Sequence, residues 1–83
     1  MRTEQRTIIY EGIDAVRDSQ DRKWGGPAHD DKHTRHDWIA FAVKQLGKAM
    51  EYNASPGDFN SAMIQAAAVC VAAVESNNRA GWD

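Results

Sequence analysis

Residues 62–74, AMIQAAAVCVAAV, form an apolar run interrupted only by Gln65, and no other stretch of the chain constrains the fold as tightly. A bilayer span needs about 20 apolar residues, so a run of this length is read as a buried helix and no membrane is expected as a partner. Ala66, Ala67, Ala68, Ala72 and Ala73, set around Val69, Val71 and Val74, make it apolar almost all round and let neighbouring helices approach closely. The whole chain has only 83 residues. A single domain of that size buries about 60% of its unfolded surface, too little to cover such a helix on every side. The expectation is one all-α domain spanning 1–83 that assembles into a homo-oligomeric helical bundle.

The start of this helix is marked by Ser55 as N-cap, Pro56 at the first helical position and Asp58 in the first turn, giving a span of about 56–77. An earlier helix over about 36–53 follows from Trp38, Ile39, Ala42, Val43, Leu46, Ala49 and Met50, an i, i+3, i+4, i+7 series preceded by Thr34 and Asp37 as capping candidates. The first helix, about 3–21, places Ile8, Ile9, Ile13 and Val16 on its apolar face and Arg17 among the polar positions, with Thr3 as N-cap and Glu4 in the first turn. Trp24-Gly25-Gly26-Pro27 breaks that pattern, because two glycines and a proline remove helix propensity and a backbone donor. A long ordered loop over 22–35 is the consequence.

Charge narrows the partners. With 10 basic and 12 acidic residues and a net charge of −2, the chain lacks the basic patch of a phosphate-neutralising protein, so no nucleic acid is expected. The stretch MRTEQRTIIYEG is charged every few residues, unlike an export signal, and Cys70 has no second cysteine to pair with. Both fit a reducing, cytoplasmic setting.

The loop carries the chemistry. In WGGPAHDDKHTRHDW, two tryptophans bracket three histidines, three aspartates and a rigid turn. Imidazoles and carboxylates are common metal ligands, so His29, Asp30, Asp31 and His33 form one candidate site for a divalent metal, with His36 and Asp37 beside them. The spacing is not that of a recognised metal motif, and a polar loop that solvates itself and caps the next helix would look the same. A ligand clamp is the preferred reading: Trp24 and Trp38 can stack on a planar molecule, while Gly25, Gly26, His29, Asp30, Asp31, His33 and Arg35 supply a turn and hydrogen-bonding groups. No cofactor is assigned.

The stretch DRKWGGPAHDDKH, followed by DWIAFAVKQLGKAMEY and the alanine-rich last helix, resembles the short, phage-type MazG-like proteins over roughly residues 10–78. That group belongs to the all-α nucleoside triphosphate pyrophosphatases. The resemblance implies one MazG-like helical domain, oligomeric bundles, and magnesium held by an E-E-x-x-E motif with a later E-x-x-D. Here the corresponding positions read Lys44-Gln45-Leu46-Gly47-Lys48, and between Asn60 and Glu75 there is no carboxylate. Magnesium beside a triphosphate needs several oxygen ligands, which this pattern does not provide. Lys44 and Lys48, one turn apart, instead place ammonium groups where metal-bound phosphate would sit, although such a pair on most helices is simply a solvated stripe.

The expected function is therefore non-catalytic binding, and sequestration, of a nucleotide-like or phosphate-bearing small molecule. By analogy with its phage-type look-alikes, such a protein would counter bacterial nucleotide-signalling defence in the host cytoplasm. Two alternatives stand beside it: a divergent metal-dependent pyrophosphatase using the loop's histidines and aspartates, and a protein–protein interaction module.

Overall fold

The computed structural model describes residues 3–51 and 53–80. They form four helices: α1, Glu4–Trp24; α2, Pro27–Asp30; α3, Arg35–Ala49; and α4, Pro56–Ala80. No strand occurs among the described residues, in keeping with the all-α expectation. The segment expected as a long loop is shorter than its composition suggested, because α1 runs on to Trp24 and α2 adds one helical turn. α3 stops at Ala49, earlier than the expected 53, and tightens at its end, where the Met50 N–H bonds to the Gly47 carbonyl at 3.1 Å.

The helix starts are fixed by their capping residues. Thr3 Oγ1 accepts from the Arg6 N–H at 3.1 Å. Thr34 and Asp37 form a reciprocal box: the Thr34 N–H donates to Asp37 Oδ2 at 2.9 Å, and the Asp37 N–H donates to Thr34 Oγ1 at 3.2 Å. Ser55 and Asp58 repeat the arrangement at the start of α4, at 3.2 and 3.0 Å. Each box satisfies two backbone donors that a helix start would otherwise leave unpaired.

α4 is the central element. It packs against α3 most extensively and against α1 and α2 less so, while α1 and α3 do not pack extensively on each other. The core is small: Trp38 against Val69 and Ala72, with Ala42 and Ala73 around them, and Ile13, Ala62, Ala66 and Ala68 also buried. Ile8 and Ile9, expected on the apolar face of α1, are exposed. Ile8 lies on a different side of the helix from Ile13, being five residues away on a 3.6-residue turn.

The alanine-rich helix is not buried all round within one chain. Ala62, Ala66, Val69, Ala72 and Ser76 face inward, whereas Phe59, Met63, Cys70, Val71 and Val74 are exposed. At 25 residues α4 is also longer than its apolar centre, and it meets the length and hydropathy of a membrane-crossing helix by composition alone.

Candidate functional site

Two glycines make the turn that builds the site. Gly25 ends α1 in the left-handed region, at φ 101°, with its N–H on the Asp21 carbonyl at 3.0 Å. Gly26 follows at φ 69° and ψ −146°, and its carbonyl accepts from the N–H groups of His29 and Asp30. L-residues are strained in both conformations, so Gly-Gly reverses the chain within two residues where other sequences would need a longer connection. Pro27 then opens α2 with its φ already suited to a helix.

The reversal sends Asp30 and Asp31 to different partners. Asp30, 8% exposed, meets Arg17 at 3.5 Å. The same guanidinium contacts Asp21 at 3.2 Å and Glu75 at 3.3 Å and donates to Gln20 Oε1 at 3.0 Å. Three carboxylates thus surround one arginine, leaving that end of the site net acidic. Asp31 instead turns to α4, where the fully buried Ser76 hydroxyl donates to its Oδ1 at 2.8 Å and Arg79 grips both oxygens at 2.9 and 3.2 Å. The hydrogen bonds from Arg79 and then Ser76 hold the Asp31 carboxyl below the usual aspartate range, and Asp31 in turn raises the Arg79 guanidinium. Asp37 is lowered too, chiefly by its backbone bond from Thr34.

Between α1, α2, α3 and α4 lies a cavity of about 440 Å³. One side is a continuous set of aromatic rings. Trp24 and His29 are nearly parallel, with centroids 5.9 Å apart and an angle of 19°. His33 sits edge-on to His29, Trp38 and Phe41 at 4.9, 5.3 and 5.1 Å. His29 Nε2 and His33 Nε2 are 3.3 Å apart, and His33 Nδ1 lies 3.8 Å from Asp37. Arg17 and Gln20 enter from α1, Lys44 and Gln45 from α3, and Val69 and Ala72 form the α4 wall. Two buried donors on these walls, Trp38 Nε1 and Arg17 Nε, have no hydrogen-bond partner among the described residues. A buried N–H left in that state costs roughly 1–3 kcal/mol, so both are candidates for an acceptor on a bound molecule.

Six of the residues singled out in the sequence meet in this cavity: Trp24, His29, Asp30, His33, Trp38 and Lys44. Five do not line it. Gly25 and Gly26 shape the turn, Asp31 anchors α2 to α4, and Arg35 is exposed at the first position of α3. Lys48 lines a separate polar groove with Gln45, Glu51, Asp58 and Ser61. Of the two tryptophans, Trp24 is half-exposed at the cavity edge, while Trp38 is a core residue that presents its ring from within.

Arg17 and Gln20 are the main residues that sequence reasoning missed. Ile13, Arg17, Gln20 and Trp24 recur at i, i+4, i+7 and i+11, so two polar residues interrupt an inward stripe. That interruption is a readable sign of a polar wall, which the charge of Arg17 taken alone conceals.

His29, Asp30, Asp31 and His33 do not converge as a metal-binding set, because Asp30 is drawn to Arg17 and Asp31 to Ser76 and Arg79. Among the described residues no three histidine, cysteine or acidic side chains are placed to hold an ion together. Comparison with protein-family models, curated proteins and solved structures yields no match to this chain.

Proposed function

We propose that the chain binds, without transforming it, a small molecule that joins a planar ring to phosphate, as a nucleotide does. The observation that supports this is an aromatic-walled cavity with Lys44 on one wall, an ammonium that has no ion pair among the described residues. The net-acidic Arg17 end repels phosphate, so the ring lies toward Trp24, His33 and Trp38 and the phosphate toward Lys44. The neighbouring groove that contains Lys48 also holds Glu51 and Asp58 and is net acidic, so the phosphate stays at Lys44. The divergent donor set of the loop favours binding over metal-assisted hydrolysis. Taken with the resemblance to phage-type MazG-like proteins, the reading extends to sequestration of a nucleotide signal.

The test is calorimetry with linear and cyclic nucleotides, together with an assay for pyrophosphate release from nucleoside triphosphates and magnesium. Binding without turnover is expected, and Trp24→Ala should weaken it about tenfold, the worth of one stacked base. No heat from any nucleotide would sink the proposal. Pyrophosphate release would replace it with the enzyme reading.

A further inference from the structure

The acidic end of the cavity has hydrogen-bonding capacity that the chain itself does not use. Arg17 is its hub: Nη1 donates to Gln20 Oε1 at 3.0 Å, and Nη2 reaches Asp21 at 3.2 Å, Glu75 at 3.3 Å and Asp30 at 3.5 Å. Asp30 makes the longest of these contacts, yet its side chain is the most buried of the three, 11% exposed against 41% for Asp21 and 52% for Glu75. Water can serve the two exposed carboxylates. Asp30 lines the cavity, and its Oδ1 has no donor among the described residues. A carboxylate offers about four acceptor sites, and a buried one left short of donors is costly. Gln20 is the converse. Its Oε1 is taken by Arg17, which leaves the amide nitrogen as a donor with no acceptor among the described residues, and Gln20 lines the cavity too. One guanidinium thus holds an acceptor and a donor at the same end of an aromatic-walled cavity.

We infer that Asp30 and Gln20 read the base of the bound nucleotide and select guanine. N1–H and the N2 amino group of guanine donate to the Asp30 carboxylate as a fork, and O6 beside them accepts from the Gln20 amide. The inference rests on the nucleotide reading above and names the base that it leaves open. It follows from the sign of the end wall. Three carboxylates share the single positive charge of Arg17, so a ring edge placed there has to offer N–H groups and not carbonyl oxygens. The other bases match less well. Hypoxanthine keeps N1–H and O6 but has no amino group, so one bond to Asp30 is missing. Adenine and cytosine each give the carboxylate a single N–H from their amino group. Uracil sets two carbonyl oxygens around one N–H and meets the carboxylate with like polarity. A site built to bond an N–H group discriminates strongly against a ring that lacks it, because its own buried polar atom is then left unpaired. Arg17, bonded to both readers, positions them.

The experiment is calorimetry on the full chain with the triphosphates of guanosine, inosine, adenosine, xanthosine and uridine, which share ribose and phosphates and differ only in the base. Guanosine triphosphate is expected to bind tightest. Inosine triphosphate should be weaker by about tenfold or more, the worth of one hydrogen bond to a charged group, and uridine triphosphate weakest. Asp30→Asn exchanges one acceptor of the fork for a donor. It should lose the preference for guanine and gain affinity for xanthosine triphosphate, whose ring carries a carbonyl where guanine has the amino group. A gain of binding is a result that local unfolding cannot produce, and circular dichroism checks the fold. Gln20→Ala should weaken guanosine and inosine triphosphates alike, since both rings carry O6, and leave their ratio unchanged. Val43→Ala, 60% exposed on the outer face of the hairpin that α3 and α4 form, should change nothing. Equal affinity for all five, a preference for adenosine or uridine, or an Asp30→Asn protein that keeps the guanosine-over-inosine ratio would overturn the inference and leave the nucleotide reading standing. Silence from these five and from the cyclic nucleotides would remove that reading, and the inference with it.

Discussion

Trp38 and Ile39 are neighbours on α3 with opposite settings: Trp38 is 7% exposed and helps to wall the cavity, while Ile39 is 54% exposed on the outer face. The contrast extends over the whole hairpin. On the cavity side apolar rings alternate with Lys44, Gln45, His33 and Asp30, so the surface is chemically uneven on the scale of a small molecule. The outer side is even, aliphatic and nearly flat in charge. Uneven lining suits a ligand whose parts differ, because each polar group fixes one part of it. Evenness suits a broad partner that removes water from the whole face at once.

The sharpest way to break this comparison is to truncate each neighbour in turn. Trp38→Ala should destabilise the chain by about 3–5 kcal/mol in denaturant titrations, because a core ring is lost and a void remains. Ile39→Ala should change the stability of the chain by less than about 0.5 kcal/mol, as for most exposed positions. Equal losses at the two sites would mean that the two faces are not distinct in the way described.

A smaller effect tests how the cavity side is held in place. Ser76→Ala removes the buried hydroxyl that ties α2 to α4 and should cost roughly 1 kcal/mol, with Arg79 still holding Asp31. Amide exchange at Gly25 and Gly26, which reports on the turn, should quicken in this variant and stay constant when outer-face residues are replaced.

The smallest effect is in acid. Asp31 and Asp37 have folded-state values below the ordinary aspartate range, so their contribution to stability is complete above the unfolded value near pH 4 and is lost as pH falls through the lower folded values. Melting temperatures measured from neutral pH downward should therefore fall below about pH 4, and less steeply in Asp31→Asn, which cannot titrate. An unchanged acid slope in that variant would remove Asp31 from the account.

The helices were legible because their ends are local events. Thr3, Thr34 with Asp37, and Ser55 with Asp58 are capping residues whose bonds span three positions, and the structure contains each of them. The loop was harder. Gly25-Gly26 signalled a break, but that the turn would be only two residues long depended on both adopting positive φ and on α2 finding anchors 45 residues away in Ser76 and 48 away in Arg79. Asp30 and Asp31 look alike in sequence; their separate fates depend on where α1 and α4 lie. Arg17 was misplaced for a related reason, since its polarity outweighed its position on the Ile13 stripe, and only the carboxylates of α1, α2 and α4 together make its inward placement tolerable.

α1 leans on α4 and barely on α3, so the cavity is the gap between two helices that share a support without bracing each other. Its width then depends on how α1 sits on α4, where Ile13 is buried and Arg17 reaches Glu75. A molecule that touches Trp24 on one bank and Lys44 on the other works as a crossbeam. If the proposed ligand spans the gap, its binding and the docking of α1 are thermodynamically linked, and the backbone amides of α1 should then exchange with solvent more slowly.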